Sequence, residues 1–266
     1  MYIEVRLSQY ISGRVAGELI HAPVSIESLI IPSQVVGVAE NIDIPLFGEV
    51  LWDGIVGLAY ANVKMRERGL TPLMDTLMSE GLLESNVFSY WVSKGAGAIT
   101  FGGVNQDYVN EAISPVWVPL LETRYWTLQL LNVHIDGEPL IGAFHRPIKA
   151  VVDTGTYLIY GPSSIIEVHA RQTILKLLSL QDCEKSTLPV ISFVFSCEGT
   201  PCELSLHPED YVIAFENEDS QDCVIGLAAD SDQGDWTLGQ VFLSPFVTAF
   251  DRSQDRIGFM HRKIGL

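Results

Sequence analysis

The chain has 266 residues, with 16 Lys+Arg against 33 Asp+Glu, a formal net charge of −17, and 47 % hydrophobic residues. A chain this apolar can bury a large core, which excludes bulk disorder, and its acidic surface repels phosphate backbones, which argues against a nucleic-acid partner. No apolar run approaches the roughly 18 residues of a membrane span, so none is expected, and the length suits one large β domain or two ordinary lobes.

The first residues, Met1 to Tyr10, do not read as a signal peptide, because Glu4 and Arg6 interrupt any apolar stretch. They read as the middle of a strand, so the chain is expected to start inside a domain. Strand-like runs follow at 35–38, 98–101, 128–133, 148–152, 191–195, 247–250 and 257–259, each bounded by turn residues. Two segments read as helices. Thr71 is placed as N-cap before Pro72, with Leu73, Leu77 and Met78 as the apolar stripe. A second helix is expected from Ser164, with a capping-box pattern to Glu167 and a stripe of Ile166, Ala170, Ile174 and Leu177. Many short strands with two short helices predict an all-β architecture. Trp52 to Leu58 and Trp236 to Gly239 each run from Trp through an apolar pair to Gly, a weak echo suggesting two similar lobes, with a boundary near Pro115 to Glu122.

The four cysteines, Cys183, Cys197, Cys202 and Cys223, cluster in the C-terminal half, which points to two disulfides and an oxidising compartment. Three pairings can be drawn. Cys197 and Cys202 flank a turn and could staple a hairpin, leaving Cys183 with Cys223; four reduced thiols are the alternative. No Cys-x-x-Cys and no histidine spacing suits a metal, so no metal site is expected. The acidic stretch from Glu216 to Asp235 reads as a solvated loop region.

The segment with chemistry in it is Ala150 to Thr156. A carboxylate, Asp153, ends an apolar strand and enters a Gly turn flanked by the hydroxyls of Thr154 and Thr156. An isolated Asp there is costly unless it is hydrogen-bonded or shares a proton. Gly155 lets backbone approach closely. Gly161-Pro162 and a capped helix follow.

This arrangement resembles the C-terminal catalytic loop of the pepsin-like aspartic peptidases: an apolar pair, Asp-Thr-Gly-Thr, Gly-Pro and a helix. The resemblance covers most of the chain. Trp52 to Tyr60 is similar to the family's Phe-Asp-Gly-Ile-Leu-Gly-Leu-Ala-Tyr segment, and Phe88 to Val92 with Ile99 to Val104 to its Phe-Gly-Gly strand pair. Tyr125 to Leu128, Trp236 to Leu243 and Phe250-Asp251-Arg252 match further family blocks in the same order. The resemblance implies a bilobal, all-β acid protease fold, with residues 1–117 as the remainder of an N-terminal lobe and 118–266 as the C-terminal lobe. It implies an aspartic endopeptidase that hydrolyses peptide bonds with water activated between two aspartates, a polypeptide substrate, no cofactor, a monomer, and a place in the secretory pathway, secreted or in an acidic vesicle.

Asp153 is then the catalytic aspartate. Gly155, Thr156 and Tyr157 are candidates for substrate binding, as are Ile55 and Tyr125, for which a plain core role weighs equally. The family usually has Ser where Tyr157 stands, and many relatives have Asp where Gln240 stands. The 266 residues contain one Asp-Thr-Gly and no Asp-Ser-Gly. By the resemblance, the other loop lies upstream of the segment that begins here, so the chain is expected to be N-terminally truncated and inactive as written. Ile3 to Leu19 corresponds to the family's flap hairpin, whose Tyr-Gly-Thr-Gly is not recognisable. The alternative is a non-catalytic pepsin-like protein that binds peptides.

Overall fold

The computed structural model describes residues 3–10, 13–43, 52–93, 95–140, 147–166, 188–216, 221–230, 234–263 and 265. These fall into two units, 1–84 and 85–266.

The first unit is built on three long antiparallel strands: β1 (Ile3–Tyr10), β2 (Gly13–Ile26) and β3 (Leu29–Asp43). Ile3 pairs with Leu19 and Tyr10 with Gly13, so the segment read as a hairpin forms one. β3 is mostly solvated, with Ile31 and Gln34 buried. The helix Leu73–Ser79 packs on it. The Gln34 amide fastens that contact by donating to the Thr71 carbonyl at 2.9 Å. The helix starts one residue later than expected: Pro72 is the N-cap and Thr71 makes no cap. Its buried face is Leu73, Met74, Thr76 and Leu77. A further short helix, Val63–Glu67, begins where the Asn62 side chain accepts from the Met65 N–H at 2.9 Å. Trp52 to Leu58, the first half of the sequence echo, has no regular secondary structure, whereas its counterpart is a strand.

The second unit is strand-rich. In chain order it holds β4 (Val87–Ser93), β5 (Ala96–Phe101), β6 (Val116–Glu122), β7 (Thr127–Ile135), β8 (Glu138–Pro139), β9 (Ile148–Val152) and β10 (Ile159–Pro162). Then come β11 (Ile191–Cys197), β12 (Thr200–Leu206), β13 (Val212–Glu216), β14 (Gln221–Ile225), β15 (Leu227–Asp230), β16 (Trp236–Leu238), β17 (Phe246–Asp251) and β18 (Arg256–His261). All but the β13–β14 hairpin join one sheet, whose path runs β15-β10-β16-β9-β7-β6-β18-β17-β4-β5. All-β architecture is thus what the sequence builds.

The reasons are local. β9 alternates buried and half-buried residues, with Ile148, Ala150 and Val152 inward, the period of a strand covered on one side. β17 is buried at all six positions, as a strand covered on both faces must be. Each of the strand-like runs expected from the sequence lies in a strand. The acidic stretch from Glu216 to Asp235 is not a loop throughout: within it Gln221–Ile225 pairs with Val212–Glu216 as a hairpin, and Leu227–Asp230 is a strand.

The core of this unit is aromatic. Phe242 packs edge-on against Phe193 (5.1 Å between centroids) and Phe259 (5.7 Å), and Phe246 meets Phe259 at 5.7 Å. A second cluster stacks Phe88 on Phe250 at 4.7 Å with Trp126 edge-on to both. Cys197 and Cys202 are disulfide-bonded across the β11–β12 turn, as the hairpin reading expects. Cys223 is also disulfide-bonded, and Cys183 lies outside the described residues. The predicted helix after Ser164 is described only over Ser163–Ile165; beyond Ile166 it too lies outside them.

One polar cluster sets a pH response. His261 sits against the Phe246 ring at 5.2 Å, and burial lowers its pKa from the ordinary 6.5, opposed by Asp210. Burial raises the Asp210 carboxyl, against the bond it accepts from the His207 N–H at 2.8 Å. A lowered His pKa means that the unfolded chain protonates first as pH falls. His261 therefore costs stability as pH drops below 6.5 toward its folded value. Asp210 works the other way, binding its proton more readily when folded, at lower pH. We expect His261→Phe to gain thermal stability over the parent chain as pH falls from 7 to 5. A difference between the two melting temperatures that stays flat across that range contradicts this.

Candidate active site

Asp153 follows the last residue of β9. That strand runs parallel to β16, with Val152 beside Leu238, and β10 returns antiparallel on the far side of β16, with Ile159 beside Leu238. Asp153 therefore stands at the carboxyl ends of two parallel strands. Two backbone bonds fix the exit: Val152 N–H donates to the Trp126 carbonyl at 2.9 Å, and Asp153 N–H to the Leu238 carbonyl at 3.1 Å.

The turn then folds onto its own carboxylate. Gly155 N–H donates to Asp153 Oδ1 at 2.9 Å, and the Thr156 hydroxyl donates to Oδ2 at 2.7 Å. Each carboxylate oxygen is thus held by one donor, and the group is oriented without an ion pair in the turn. A Cβ on Gly155 would lie 3.3 Å from Oδ1, a tight approach that glycine relieves. Asp153 remains partly accessible.

Tyr157 is 55 % exposed and Tyr125 48 % exposed, so neither is a core residue. Ile55, 57 % exposed, is not core either, and it belongs to the other unit. Asp251, which ends β17 in the Phe-Asp-Arg block, is buried and engaged: it pairs with Arg256 Nε at 3.0 Å and accepts from the Ser253 and Gln254 N–H groups. Its role is to close the β17–β18 turn. Among the described residues no group of three or more His, Cys, Asp or Glu could hold a metal ion.

The loop is also held from outside, by Gln240 and Val241. Gln240 N–H donates to the Thr156 carbonyl at 2.8 Å and Val241 N–H to the Tyr157 carbonyl at 3.0 Å. The Gln240 side-chain Nε2 donates to the Thr154 carbonyl at 3.1 Å. The sequence marks Gln240 only as a missing carboxylate; a bond across 86 positions leaves no local pattern. Two glycines make room. A Cβ on Gly161 would fall 2.6 Å from the buried Trp236 ring. One on Gly239 would collide with the Thr156 and Leu158 carbonyl oxygens, and backbone cannot step aside as a side-chain tip can. We expect Gly239→Ala to cost about 1–3 kcal/mol, the usual range for overpacking. Urea unfolding measures this, and an unchanged midpoint overturns it.

Comparison with known proteins agrees with the motif. The model of the eukaryotic aspartyl protease family matches residues 4–262. Plasmepsin VII of Plasmodium berghei (strain Anka) is 33 % identical over 96 % of this chain and 59 % of its own length. Plasmepsin VII of Plasmodium falciparum (isolate NF54) is 33 % identical over 89 % and 60 %. Gastricsin of Callithrix jacchus is 30 % identical over 94 % and 65 %. The chain spans about three fifths of the length of these relatives. With a family match across nearly its whole length, an all-β fold and an Asp-Thr-Gly-Thr turn at a strand end, the chain belongs to the eukaryotic aspartyl protease family, the pepsin-like group.

Proposed function

We propose that this protein is an aspartic endopeptidase in which Asp153 is one of two catalytic aspartates. The observation that supports this most is the Asp153 carboxylate, oriented by the Gly155 N–H and the Thr156 hydroxyl at an accessible strand end.

The chemistry follows from two carboxylates sharing one proton, since both cannot ionise cheaply side by side. The ionised one takes a proton from water as the water oxygen attacks the peptide carbonyl carbon. The protonated one gives its proton to the carbonyl oxygen. A tetrahedral gem-diol forms, with no covalent bond to the enzyme. Its collapse breaks the C–N bond and passes a proton to the leaving amine. Each step needs a donor and an acceptor at once, so one carboxylate does not suffice.

The 266 residues supply one Asp-Thr-Gly loop. We therefore place the active form in a longer protein that carries a second Asp-Thr-Gly or Asp-Ser-Gly loop. In this reading 1–117 and 118–266 belong to the two lobes, and Ile3 to Leu19 is the flap. Tyr157, within the loop, Tyr125, next to the Trp126 whose carbonyl accepts from the Val152 N–H, and Ile55 are assigned to contact the substrate, a polypeptide. Disulfide-bonded cysteines favour a secretory location. No helix among the described residues is long and apolar enough to cross a membrane.

The test is cleavage of an acid-unfolded protein, with and without pepstatin. The longer form is expected to cut, and pepstatin to stop it, while the 266-residue chain alone does not cut. Pepstatin-sensitive cleavage by the 266-residue chain overturns the need for a second loop. A two-loop form that binds peptides without cutting them overturns the endopeptidase reading in favour of a peptide-binding protein.

A further inference from the structure

The Asp153 turn exposes three backbone carbonyls, those of Thr154, Thr156 and Tyr157, and all three are tied to residues 240 and 241. Two ties are made by backbone N–H groups and survive any substitution except proline. The third is made by a side chain. Gln240 thus grips the turn at two points, Thr156 through its backbone at 2.8 Å and Thr154 through its amide at 3.1 Å. Thr154 sits between Asp153 and Gly155, the residue whose N–H orients the carboxylate. Loss of the Gln240 side-chain hydrogen bond frees the peptide group that carries that donor, since the Thr154 carbonyl and the Gly155 N–H belong to one planar unit.

The chemical type matters. A primary amide donates at every pH the enzyme could meet. A carboxyl in its place donates only while protonated, and when ionised it repels the Thr154 carbonyl. We infer that Gln240 is a positioning residue for Asp153, acting through the Thr154 carbonyl, and that its amide keeps the turn in register independently of pH. This rests on the catalytic reading of Asp153 given above. Titratable side chains on the turn and on the elements packed against Gln240–Leu243 are Asp153 and Tyr157, Tyr160 on β10, Asp251 on β17, Tyr90 on β4, and Glu209, Asp210 and Tyr211 on Pro208–Tyr211. Each is present in parent and variant alike, so a ratio between them at one pH isolates position 240.

The test compares the parent 266-residue chain with Gln240→Glu and Gln240→Ala, reading backbone amide exchange at Gly155 and Thr156 by NMR, normalised to intrinsic rates. Gln240→Ala is expected to exchange roughly 5-fold to 10-fold faster than the parent at pH 3 and at pH 7, as the loss of one hydrogen bond implies. Gln240→Glu, which fills the same volume, is expected to match Gln240→Ala at pH 7 and the parent at pH 3, below the ordinary glutamate pKa of about 4.3. A Gln240→Glu ratio that is the same at both pH values means a packing role and overturns the inference. So does parent-like exchange in Gln240→Ala. In the longer, two-loop form, Gln240→Glu is expected to lower kcat at pH 7 with KM unchanged. If the exchange pattern holds and no form cleaves, the endopeptidase reading fails while the clamp stands.

Discussion

Asp153→Asn in the two-loop form is expected to lower kcat by about 10³-fold to 10⁴-fold, with KM changed little. The substitution preserves shape. An Asn Oδ1 can still accept from the Gly155 N–H, so the turn keeps its outline. What it loses is the ability to hold or release a proton. The pair can no longer divide one proton between an acid and a base, and neither attack on the carbonyl nor protonation of its oxygen is assisted. Substrate contacts made elsewhere are unaffected, which is why the loss falls on kcat. Steady-state kinetics on a quenched peptide measure both constants. A variant that retains more than a tenth of parent kcat contradicts a direct role for Asp153.

Phe242→Ala is expected to destabilise the 266-residue chain by about 3–5 kcal/mol, the range for emptying a buried phenylalanine site. Phe242 is fully buried and touches four other aromatic rings, those of Phe193, Phe195, Phe246 and Phe259, at 5.1 to 6.2 Å. These come from β11, β17 and β18, so the void lies among strands that belong to one sheet and cannot close by moving one loop. Phe242 also belongs to Gln240–Leu243, whose first two residues hold the Asp153 turn. Core packing and the geometry of the Asp153 turn are joined there. Denaturant unfolding checks the figure, and a loss below about 1 kcal/mol contradicts the packing described.

What could be read from the sequence divides along a physical line. Strands such as Ile191–Cys197 and Phe246–Asp251 are legible because their apolar content is local. So is the Asp153 turn, where strand, carboxylate, glycine and hydroxyls are neighbours in the chain. The Cys197–Cys202 link is legible for the same reason. The β13–β14 hairpin is obscured because acidic residues crowd the same stretch as its apolar ones. The start of Leu73–Ser79 shifts by one residue because the Thr71 carbonyl is used by Gln34 and its side chain caps nothing. The grip of Gln240 on Thr154 is invisible because the strand order that brings them together is a property of the whole sheet.

The central claim is that the Asp153 carboxylate meets the reacting atoms. A crystal structure of the two-loop form with a hydroxyl-bearing transition-state mimic tests it most directly. The mimic's hydroxyl is expected within hydrogen-bond distance of an Asp153 carboxylate oxygen, with the Gly155 N–H and the Thr156 hydroxyl still donating to that group. A mimic bound with Asp153 turned away from its hydroxyl would contradict it.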